Sequence, residues 1–173
     1  MMEFSLYEQL DAESSRANFD FVARVCGNNP VMFQELVTIA FTGKPPVSFR
    51  SAAVIETICR TYPFLIIPYL DQIIAKYNSF NHDGVKRGML KCIRTVEYTE
   101  EQMGLLFDLC IEIMRQPKEK VAARVYAMDV LLRISEIYPD IRQEIALVIE
   151  ANSEYESPAW KAHARSTIKT LRK

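Results

Sequence analysis

Glycine is scarce in this 173-residue chain, with five in all. They form no Walker or dinucleotide glycine loop of the kind that cradles phosphates. Histidine is scarcer still: His82 and His163 are the only two, and the cysteines at 26, 59, 92 and 110 form no Cys-x-x-Cys pair. No metal site is expected from so few ligands at such spacings, and no cofactor either. Cys26 and Cys59 each stand four residues before a proline, and read as buried thiols acting as small apolar residues. The longest apolar stretch, Phe64 to Leu70, falls far short of the roughly 20 residues a membrane-spanning helix needs, so no membrane insertion is expected. The start, Met1-Met2-Glu3-Phe4-Ser5, lacks the basic and apolar regions of a secretory signal and points to a cytoplasmic protein. Excess charge is missing too. A formal net charge of -1 and a pI near 6.2 provide no global field to draw nucleic acid or an anionic membrane.

Strand patterns are also absent, with no useful alternating run and no Asn-Gly hairpin signal. What remains is helical, with 49% hydrophobic residues, enough for one substantial core and a single domain over 1–173. Phe33, Leu36, Val37, Ala40 and Phe41 follow the i, i+3, i+4, i+7, i+8 template, as do Met103, Leu106, Phe107, Cys110, Ile111 and Met114. Helix starts fall at Asn29-Pro30, Tyr62-Pro63, Thr99-Glu100 and Tyr138-Pro139, because proline suits a first turn whose N–H has no partner. Asn29 is placed to cap the first of these, and Thr99 with Gln102 has capping-box spacing. Pro68 either kinks the third stripe or marks where its regular part begins.

Between these helices stands a second class, marked by Arg16, Arg50, Arg87, Arg124 and Arg165, at intervals of 34, 37, 37 and 41 residues. Their helices span roughly 14–27, 46–61, 82–97, 118–137 and 158–173. With four partners they make about nine helices, preceded by an N-terminal segment 1–13 and ended by a capping helix 158–173. A repeat of this length implies a stacked all-α solenoid. An apolar or small residue follows each arginine by three positions, most clearly in Val47-x-x-Arg50-x-x-Ala53 and Val121-x-x-Arg124-x-x-Ala127. This resembles the second helix of a HEAT repeat, with armadillo repeats as near neighbours. The resemblance covers roughly residues 14–172 and implies a right-handed α-α superhelix. The chain is also similar to small bacterial HEAT-like proteins that sometimes carry an adenylosuccinate lyase label. The lyase signature Ser-Ser-x-Met-Pro-x-Lys-x-Asn has no counterpart here, so only the helical character is shared and lyase activity is not expected.

Charge is segregated between the two helix classes. The arginine-bearing helices, counted through Lys173, carry a net +10 within a chain of net -1. In HEAT solenoids the second helices line the concave side, so the resemblance implies a basic inner face and an acidic protein or peptide partner. The five arginines themselves read first as a structural ladder, pairing with carboxylates or helix ends of adjacent repeats. Lys91 and Arg94, four and seven residues after Arg87, and Lys169 and Arg172, at the same offsets from Arg165, are the candidate partner-binding cations. Met128 and Leu131 occupy those offsets after Arg124, breaking any continuous phosphate track. With two histidines, no Ser, Cys or Thr nucleophile gains an evident base and orienting group, and Glu100-Glu101 reads as charge favoured at a helix start. A non-catalytic scaffold or protein-interaction module is the leading expectation. The alternative is a nucleic-acid-binding or DNA-repair protein related to HEAT-like DNA glycosylases.

Overall fold

The computed structural model of the protein describes residues 4–153 and 156–173. Met1, Met2 and Glu3, part of the expected N-terminal segment, lie outside the described residues. Among the described residues are ten α-helices, three short 3-10 helices and no strand. The chain divides into two compact units, Met1–Val96 and Glu97–Lys173.

The first unit holds α1 (Leu6–Ala12), α2 (Arg16–Cys26), α3 (Pro30–Thr42), α4 (Val47–Cys59), α5 (Leu70–Lys76) and α6 (Asp83–Ile93). Four of these starts are capped by a side chain, of Ser5, Ser15, Asn29 and His82. The Asn29 carboxamide accepts from the N–H groups of Val31 and Met32, and Ser15 Oγ accepts from Asn18, satisfying donors that a first turn leaves open. α1 is a helix beyond the nine counted from the repeat. Ser5 caps it, and Leu6 and Leu10, four residues apart, are both buried. The Tyr62-Pro63 start opens a 3-10 helix, Pro63–Tyr69, and regular α-helix begins only at Leu70. Pro68 lacks the N–H an α-helix would bond and its ring crowds the preceding turn.

α4 is the centre of this unit, packing against α2, α3 and α6. Eight of its thirteen residues are buried, including Ser48 and Ser51, and the Ser51 hydroxyl donates to the Leu36 carbonyl at 2.7 Å. A helix surrounded in this way needs apolar or small residues around most of its circumference. Val47, Ala52, Val54, Ile55, Ile58 and Cys59 supply them.

The second unit holds α7 (Glu100–Arg115), α8 (Val121–Ile137), α9 (Arg142–Ala151) and α10 (Pro158–Leu171). Thr99 and Gln102 form a full capping box at the start of α7. Tyr138-Pro139 opens a 3-10 turn, Pro139–Ile141, before α9 begins. α8 packs against α7 on one side and α10 on another, and Ala127, Met128, Val130 and Leu131 are fully enclosed. α10 buries Trp160, Ala164, Thr167 and Leu171. Among the described residues, no helix is long and apolar enough to cross a membrane.

Candidate functional site

A group of charged side chains lies where α4 meets α6. Gly88 permits the approach: a Cβ there would stand 3.3 Å from Ala52 Cβ and 3.1 Å from Glu56 Oε1. The helices thereby meet closely enough for Glu56 to receive two cations from α6. Arg87 Nη2 donates to Oε1 at 3.3 Å and Lys91 Nζ to Oε2 at 2.9 Å. The Glu56 side chain is only 9% exposed, whereas those of Arg87 and Lys91 are 46% and 35% exposed, so one shielded carboxylate orients two half-open cations.

Beside this triad is a cavity of about 230 Å³ lined by Glu56, Arg60, Lys91 and Arg94, with Cys59 and Cys92 against it. Three cations and one carboxylate thus border one depression. The thiols are inward-facing parts of its wall. The bond to Cys59, and then burial, push the Cys92 thiol well above its ordinary range, so it stays neutral. Burial, with a smaller contribution from Glu35, likewise raises Cys26 to about 12. All four cysteines are buried.

The repeated arginines occupy different settings. Arg16 pairs with Asp20 one turn on in its own helix. Arg50 Nη1 donates to the carbonyls of Leu10 and Asp11, both at 2.8 Å, which satisfies open groups at the C-terminal end of α1. Arg87 reaches Glu56 of α4. Arg124 is buried, paired with Glu156, directed at the Met114 carbonyl and stacked over Trp160. Arg165 is exposed, and among the described residues its guanidinium has no ion pair. Three of the five therefore join one helix to another.

Of the candidate binding cations, Lys91 and Arg94 line the α4–α6 cavity. Lys169 and Arg172 are exposed on α10 in the second unit, where Arg172 is paired with Glu150. The structure brings Lys91 and Arg94 together with Glu56 and Arg60, two residues the arginine spacing did not single out. Glu56 and Arg60 stand four apart on α4, a helical pairing distance, but nothing in that spacing points to α6. The histidines are held locally: His82 Nδ1 accepts from the Gly84 N–H, and His163 Nε2 lies 2.8 Å from Asp129 Oδ1, joining α10 to α8. Among the described residues, no group of three His, Cys, Asp or Glu side chains is arranged to hold a metal ion.

A family model described as a HEAT repeat domain matches residues 6–171. The chain belongs to the HEAT repeat family. The match runs from the first residue of α1 to the last residue of α10. No curated protein and no solved structure matched the chain. HEAT repeats are helical scaffolds that mediate protein interactions, and the family is typically non-catalytic.

Proposed function

We propose that this HEAT repeat protein is a non-catalytic interaction module that binds an acidic protein or peptide partner at the α4–α6 face of its first unit. The observation that carries this reading is the grouping of Arg60, Lys91 and Arg94 around one depression with Glu56 as its lining carboxylate. Glu56 holds Lys91 in place through a 2.9 Å bond. A partner's carboxylates or phosphates would find cations already positioned, which reduces the ordering cost of binding. The cations of α10 are a second place where the same partner chemistry fits, since Lys169 and Arg165 are exposed there.

Fluorescence anisotropy with a fluorescein-labelled Glu- and Asp-rich peptide tests the reading. Binding is expected to weaken as salt rises, and Arg60→Glu combined with Lys91→Gln should cost at least about tenfold in Kd. An unchanged Kd in that variant would overturn the proposal. Duplex and single-stranded DNA run alongside decide the nucleic-acid alternative. Its phosphate contacts should be strongest at low salt, so absence of binding there removes it.

A further inference from the structure

Gly104 stands in the interior of α7, where glycine costs a helix about 1 kcal/mol relative to alanine. Nothing in its surroundings requires it. Its φ is not positive, and a Cβ at that position would meet no heavy atom within 4 Å. Gly88 of α6 has a folding reason in the close approach of Ala52 and Glu56; Gly104 has none.

What a side chain at 104 would do is enter a groove. Glu100, Met103, Gly104, Phe107 and Asp108 share one stripe of α7 and line a cavity of about 530 Å³ whose other side is Ile134, Tyr138, Asp140 and Ile141. Met103 and Ile134 form a buried floor, with Phe107 and Ile141 as apolar walls. This volume lies within the range of sites that enclose small ligands or a few side chains. The rim is of one sign: Glu100, Asp108 and Asp140 border the groove, no Lys or Arg lines it among the described residues, and none of the three carboxylates has an ion pair there. An apolar floor beneath unpaired carboxylates is complementary to an apolar side chain flanked by cations.

We propose that this groove is the docking site for a partner protein segment bearing a large apolar side chain between lysines or arginines, and that Gly104 is there to keep it open. The proposal concerns the second unit and a basic partner, so it stands apart from the acidic-partner reading of α4–α6.

The test uses the full chain with methyl-labelled methionine and a panel of short peptides, each with Leu, Ile, Met, Phe or Trp between pairs of Lys, and a matching panel with pairs of Glu. At least one Lys peptide should shift the Met103 methyl resonance at concentrations up to about 1 mM, with a salt-sensitive Kd. The Glu panel should bind at least about tenfold more weakly. Gly104→Leu, which places a side chain in the groove, should weaken the Lys peptide at least about tenfold without lowering the melting temperature. Asp108→Lys, a change at an exposed position, should weaken it as well without filling the groove. No Met103 shift from any Lys peptide, equal binding of the two panels, or undiminished binding by both variants would overturn the proposal.

Discussion

Two helix glycines, Gly88 on α6 and Gly104 on α7, sit in opposite surroundings. Around Gly88, space is fully used: Ala52 and Glu56 stand within 3.3 Å of where its Cβ would be, and Glu56 is itself held by Arg87 and Lys91. Around Gly104, the same space is empty. One absent side chain lets two helices of the chain meet; the other leaves a surface to which nothing in its own unit is fitted. The contrast separates a glycine required by folding from one that folding would sooner replace.

The most disruptive way to test the first side of this contrast is Gly88→Leu. Overfilling a close helix contact costs about 1–3 kcal/mol, and here the added atoms would also displace Glu56 from its two cations. A loss toward the upper end of that range is expected in denaturant unfolding monitored by circular dichroism. A variant as stable as the native protein would mean that α4 and α6 do not depend on the close approach.

A smaller change acts on the carboxylate beside Gly88. Glu56→Gln keeps the shape and removes the charge that orients Arg87 and Lys91. Those two partners are substantially exposed, so solvent screening limits the loss to about 1 kcal/mol or less. The same substitution removes the carboxylate lining the α4–α6 cavity; its repulsion of an acidic peptide outweighs the ordering it gives Lys91, so binding should tighten by roughly threefold. Lower stability with higher affinity is the expected pair of results in unfolding and anisotropy measurements. Weaker binding would show that Lys91 must be held by Glu56 in order to act.

What could be read from the sequence, and what could not, follows the reach of the interactions involved. The starts of α3 and α7 were legible because Asn29 and Thr99 act on N–H groups two or three residues away. The arginine period was legible because a repeat preserves position. α1 was not anticipated because it lies before the first arginine of the repeat, in the N-terminal segment 1–13; its Ser5 cap and the burial of Leu6 and Leu10 one turn apart emerge from the structure. The 3-10 stretch ending at Tyr69 was foreshadowed by Pro68 alone. The candidate sites were less legible. Lys91 and Arg94 could be placed on a helix stripe, but Glu56 meets Lys91 across 35 residues of chain. In the sequence Gly88 and Gly104 are alike, each a single glycine between helix-forming residues. What distinguishes them is the presence or absence of neighbours from other helices.

That distinction sets the sign of the smallest effect. Gly104→Ala adds one methyl group to α7 in open space, so it gains helix propensity with no steric cost. The expected outcome is a stabilisation of up to about 1 kcal/mol, seen as a higher denaturation midpoint with an unchanged slope against denaturant. Since that methyl also enters the groove, the Lys peptide should bind the alanine variant more weakly than the native chain, though by less than for Gly104→Leu. A destabilised alanine variant would reveal a folding requirement for glycine at this position and remove the reason to assign it a role in docking. A more stable protein that binds the Lys peptide less well would leave docking in the groove as what glycine serves at this position in place of alanine.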